Sequence, residues 1–99
     1  VTGNQCVLIA CIAEAEPIRY TPAGVTVLNL KIDHESVQTE SGKTRTVKLA
    51  MKAVAFGTVA DQLVYQPIGS HWQFSGYLTN SRQGKTVILN IQNFCKINF

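Results

Sequence analysis

No segment of this chain runs to eighteen consecutive apolar residues, and no charged stretch followed by an apolar one opens it. Neither a membrane-spanning helix nor a secretory leader is therefore expected. The chain begins at Val1, as it would after loss of a start residue or trimming of a few leading ones. Charged residues are scarce, 15% against 45% hydrophobic, which leaves surface able to meet a partner. Glycine-rich phosphate loops and nucleophile elbows are missing, and no carboxylates are spaced as an evident catalytic pair. His34 and His71 fall on separate stretches. His34 lies between Asp33 and Glu35, but it reads as a strand-end histidine near solvent rather than an acid–base group. Neither catalysis nor a cofactor is expected. Cys6, Cys11 and Cys95 are odd in number and show no zinc-like spacing. They read as reduced, buried thiols of a cytoplasmic protein with no structural metal.

Ninety-nine residues make one domain, 1–99, with no room for a second core. A chain this size removes roughly 60–70% of its extended surface from water. That margin is narrow without disulfides, and a stabilising dimer fits it. The net charge of +3 conceals an asymmetry. Residues 1–40 hold two cations against five carboxylates, a balance of −3; residues 41–99 hold seven against Asp61 alone, a balance of +6. Such a split suits an anionic partner approaching one part of the surface.

Short strands with one helical interruption account for the hydrophobic pattern. Residues 5–15, QCVLIACIAEA, are apolar on both parities, as in a strand covered on both faces or one at a subunit contact. Thr21-Pro22-Ala23-Gly24 fits a type I turn and sends the chain back as a hairpin. Leu28, Leu30 and Ile32 then alternate with Asn29, Lys31, Asp33 and Glu35. Polar residues 36–43 are expected to form a loop. In RTVKLAMKAVAF, Val47, Leu49, Met51 and Ala53 take the inner face and Thr46, Lys48, Ala50 and Lys52 the outer. Val54 and Phe56 put apolar groups on that outer parity, which suggests a bulge or a covering element. Thr58-Val59-Ala60-Asp61 has the form of a capping box, and Val59, Ala60, Leu63 and Val64 give a helical stripe that Pro67 ends. A fourth strand starts near Ile68, with Trp72, Phe74, Gly76 and Leu78 on one face. TNSRQGK forms a turn, and TVILNIQNFCKINF is a fifth strand with Val87, Leu89 and Ile91 inward.

The order β-β-β-α-β-β, with one short helix between strands three and four, is that of an all-β, five-stranded OB-fold barrel. Gly76 in mid-strand suits a tight barrel bend. An SH3-like barrel is the main competing architecture. On the OB frame, strands two and three and the loop between strands four and five bound one groove. Lys48 and Lys52 lie four apart on one face, roughly 13 Å. Lys43 and Arg45 extend that rail into the preceding loop, and Arg82 and Lys85 sit in the 79–85 loop. Trp72, Phe74 and Phe56 read as core, while Tyr77 is placed to stack on a base and Tyr20 either to stack or to cover the turn. Phe94 and Phe99, with Ile97, suit an interface.

The stretch IRYTPAGVTVLNLKIDHES, followed by the spacing of Gln38, Glu40, Gly42 and Arg45, resembles the primosomal replication protein N (PriB) family. PIGSHWQFSGYL matches the fourth strand of that family, and the likeness runs from about Cys6 to Ile97. The resemblance implies an OB-fold homodimer that binds single-stranded DNA and assists the PriA helicase in restarting stalled forks, with a further primosome protein as an additional partner and no membrane. It makes the first strand part of the dimer contact. It carries Lys31, Lys43, Arg45, Lys48, Arg82, Lys85 and Arg19 over as DNA-facing. A protein-interaction adaptor with weak or incidental DNA binding is the alternative, and an RNA-binding cold-shock-like barrel lacks its exposed aromatics on strands two and three.

Overall fold

Side-chain alternation decides where each strand lies. The computed structural model describes residues 2–97. In chain order it contains β1 (Cys6–Ala15), β2 (Arg19–Tyr20), β3 (Thr26–Glu40), β4 (Lys43–Phe56), α1 (Thr58–Leu63), β5 (His71–Asn80) and β6 (Val87–Cys95). Pairing runs β1–β5–β6–β4–β3 and returns from β3 to β1, so five strands close on themselves. All these pairings are antiparallel except the short β4–β6 joint, Lys52–Ala55 against Ile88–Ile91. The expected barrel is therefore present, with the helix after its third strand. β2 is a two-residue addition that pairs with Val27 and Thr26 of β3.

The core is the inward parity of every strand. Ile12, Leu28, Ile32, Phe74, Leu89 and Ile91 are fully buried, and each contributes about 1.5–3 kcal/mol by leaving water. Trp72 meets Phe94 edge to face, ring centroids 5.1 Å apart, and both pack against that core. Phe94 is thus a packing residue rather than an interface residue; Phe99 lies outside the described residues. The inward expectations fail at Leu49 in the middle of β4, at Leu78 near the end of β5 and at Val87 at the start of β6, all of which are exposed. Cys6 and Cys11 are half-buried, but Cys95, the last residue of β6, is exposed.

Gly76 answers to a close approach. A Cβ there would stand 1.8 Å from the backbone oxygen of Asn90. The β5–β6 register shifts at the same place, between Ser75 and Gly76. The first hairpin is closed by Gly24 N–H to Thr21 O at 2.8 Å, with Gly24 at φ +84°.

Two local expectations are corrected. Residues 36–40 are strand, not loop: β3 and β4 pair without a break from Val27↔Phe56 to Glu40↔Lys43. A two-residue turn, Ser41 at φ 50° and Gly42 at φ 76°, supplies the left-handed backbone that a tight hairpin needs. Beyond Asp33 on β3 and before Lys52 on β4 neither strand has another neighbour, so Glu35–Glu40 and Lys43–Lys48 project as a two-stranded arm. Six residue pairs make it about 20 Å long, and the molecule measures 51 Å along its longest axis. Of the bulge or covered face expected at Val54 the second is found: β4 pairs without a bulge and Val54 is buried beside Asn90 of β6, while Phe56 stays exposed. The capping box does not form. Gly57 is the N-cap, Thr58 is already helical, and no side chain caps the helix. Ala60 and Leu63 are buried and Val64 is exposed, so the helix seals one end of the barrel with a stripe narrower than expected. No helix among the described residues is long and apolar enough to cross a membrane.

Candidate nucleic-acid interface

The outward parity of β3 and β4 forms the floor of a groove. Asn29 faces Val54 and Lys31 faces Lys52 across the two strands. The first hairpin, with Arg19 and Tyr20, makes one wall, and the end of β5 with Ser81 and Arg82 makes the other. Phe56 and Asn90 complete the lining of a trough of about 750 Å³. The floor is where it is because β3 and β4 bury their other parity, through Leu28, Leu30 and Ala53, in the core.

Four expected cations therefore share one cleft: Arg19, Lys31, Lys52 and Arg82. They reach it from four separate stretches of sequence. The other expected cations do not join them. Lys48 lies opposite Glu35 and lines a second hollow together with Cys11, Asp33, His34 and His71. Lys43 and Arg45 belong to the strand of the arm, not a loop, and their odd parity puts them on the opposite ribbon face from Lys48 and Lys52. The continuous rail is broken by that alternation. Lys43 also faces Glu40 in register, so carboxylates of acidic β3 stand opposite cations of basic β4. Lys85 sits in the β5–β6 loop, exposed, outside the groove lining.

Tyr77 is half-buried, and its hydroxyl accepts a hydrogen bond from Asn90 Nδ2 at 2.7 Å. It orients a groove residue instead of offering an open ring. Tyr20, 70% exposed, does line the groove. Phe56, expected in the core, is 44% exposed and lines it too. The one legible signal for Phe56 was its outer parity beside Val54. Two ring faces on a cationic trough suit stacking with bases. Replacing Phe56 with alanine is expected to weaken oligonucleotide binding about tenfold while leaving its salt dependence unchanged, because stacking releases no counterions. Fluorescence anisotropy at two salt concentrations checks both statements.

His34 is committed structurally. Its Nδ1 donates to Ile9 O at 2.6 Å, and its Nε2 shares a hydrogen bond with Ser36 Oγ at 2.8 Å. The ring thereby bridges the gap where β1 separates from the arm.

A closed five-stranded barrel, with a helix after its third strand and a cationic trough over strands two and three, defines an OB-fold binding protein. The profile described as "Another single-strand binding protein family" matches residues 4–93. Over 95 residues the chain is 36% identical to replication restart protein PriB of Bordetella pertussis, covering 95% of this chain and 89% of that one. It is 40% identical over 91 residues to PriB of Neisseria gonorrhoeae, covering 91% and 90%. PriB of Ralstonia solanacearum has a similar structure, with TM-score 0.85 and 28% identity over 95% of this chain and 97% of that one. The single-stranded DNA binding protein of Thermus aquaticus shares the fold at TM-score 0.74 and 23% identity, over 96% of this chain and 50% of that one. The chain belongs to this single-strand binding family and, within it, to the PriB replication restart proteins.

Proposed function

We propose that this protein binds single-stranded DNA in the Arg19–Lys31–Lys52–Arg82 groove, without catalysing a reaction, as a component of replication restart beside the PriA helicase. The observation that carries the reading is the Lys31–Lys52 pair. Like charges directly opposed across two strands work against folding. An anion laid over both converts that repulsion into attraction, and a phosphate backbone supplies anions at regular intervals. Tyr20 and Phe56 give the same groove faces for bases. The replication restart role follows the family of relatives at 36–40% identity.

Titration of a fluorescent oligo-dT at several salt concentrations tests the reading. With about four phosphates neutralised, log affinity falls against log salt with a slope near −3. A flat response, or equal affinity for duplex, counts against it.

The same proposal includes a cytoplasmic homodimer and, beside PriA, a further primosome protein. β1 supports the dimer. Its outward residues Val7 and Ile9 are 63% and 45% exposed, and with Cys11 they leave an apolar stripe uncovered in the single chain. Ile9→Glu is expected to halve the mass measured by light scattering, because a carboxylate at that stripe would have to be desolvated in the dimer.

A second reading, an adaptor that binds DNA only incidentally, is favoured by Tyr65 and Ile68, exposed together just after α1. Pull-down of PriA by a chain with the groove cations neutralised separates the two, since only the adaptor would retain its principal ligand.

A further inference from the structure

β1 breaks its register against β3 at one place. Cys11 faces Asp33 and Ile12 faces Ile32, but the next pair is Glu14 with Lys31. Ala13 is the additional residue of a β-bulge. Strict alternation would leave Glu14 on the side of Ile12, towards the core. The bulge re-aims it. Glu14 now shares the outward side with Lys31, and Ala15 falls opposite Leu30. Glu16 follows onto the same side, pinned by its backbone N–H donating to Asn29 O at 2.9 Å. Both carboxylates therefore line the groove that holds Lys31 and Lys52. Both are exposed, so solubility does not require this placement. Lys31 stands between Lys52 on one neighbouring strand and Glu14 on the other.

We infer that Glu14 and Glu16 set the affinity of the groove: they compete with DNA phosphate for Lys31 and keep the single-stranded DNA complex readily exchangeable. The inference rests on the DNA-binding reading of this groove. A carboxylate one strand spacing from a lysine lies well inside the screening length of about 10 Å at ordinary ionic strength. DNA phosphate entering the groove must share Lys31 with that neighbouring carboxylate and accept its repulsion. Part of the counterion release expected from Lys31 is thereby already forfeited in the free protein.

The test is an anisotropy titration of fluorescein-labelled oligo-dT by the wild type, E14Q/E16Q and E35Q, each at several salt concentrations. Glutamine keeps shape and removes charge. E14Q/E16Q is expected to bind about tenfold tighter at low salt. Its salt slope is expected to steepen by up to about 0.7 for each carboxylate removed. E35Q, whose parent faces Lys48 outside the groove, is expected to change affinity by less than about twofold. Thermal unfolding of all three proteins verifies that the fold is equal. Wild-type affinity and slope retained in E14Q/E16Q would overturn the inference while leaving the DNA-binding groove standing. Equal tightening by E35Q would overturn it as well, since net charge alone would then explain the gain. No salt-dependent binding by any of the three would overturn the groove reading itself, and the inference with it.

Discussion

Replacing Lys31 and Lys52 together with alanine is expected to weaken single-stranded DNA binding about a hundredfold at low salt. Each lysine offers a charge-assisted hydrogen bond to phosphate, worth at least ~1.5 kcal/mol where the partner ions are displaced. Two such bonds give about 3 kcal/mol, which is about two decades in affinity. The slope of log affinity against log salt should flatten by about 1.4, because two fewer phosphates are neutralised. Folding should not suffer, since both side chains are exposed and removing the pair relieves a like-charge opposition. Lys48→Ala is the matched control: the same residue type on the same strand, set opposite Glu35 and outside the trough. It is expected to change affinity by less than about twofold. Equal losses in the two proteins would mean that DNA follows the arm and not the groove.

Gly76→Ala is expected to cost about 3 kcal/mol or more of folding stability, read from urea or thermal unfolding. The added methyl would overlap the backbone oxygen of Asn90 at 1.8 Å, and no rotation can move a Cβ away from a main-chain atom. Either β5 and β6 separate locally or the bend between Ser75 and Gly76 opens, and both disturb the core around Phe74 and Ile91. A domain of this size has only about 5–15 kcal/mol in total. The midpoint should fall by more than about 10 °C. Gly3→Ala, where nothing lies within 4 Å of the added atom, is expected to leave it unchanged.

Much of the barrel was legible because burial writes alternation into sequence. Leu28, Leu30 and Ile32 against Asn29, Lys31 and Asp33 identified both a strand and its inner face. Gly76 and the Thr21–Gly24 turn were legible because each backbone need has a residue that meets it. The arm was not. Residues 36–40 are polar, and neither of their faces is fully buried, so no periodicity marks them. Their turn is Ser41-Gly42, where the familiar signal would be Asn-Gly. The bulge at Ala13 was equally silent. It is a relation between two strands, and nothing in β1 alone states it. The groove suffered from the same gap. Arg19 and Lys31 come from the acidic half of the chain, and only the closed barrel brings them to Lys52 and Arg82. Phe56 was misassigned because an aromatic at a strand end reads as core until its neighbours are known.

The projecting hairpin can change length only in steps. Adding one residue to each strand between the barrel and Ser41-Gly42 would exchange the two faces of everything beyond the addition. Adding two to each would preserve them and extend the tip by roughly 7 Å. Reach in this molecule is therefore quantised by the pleat, and it can be altered without disturbing a single residue of the closed sheet.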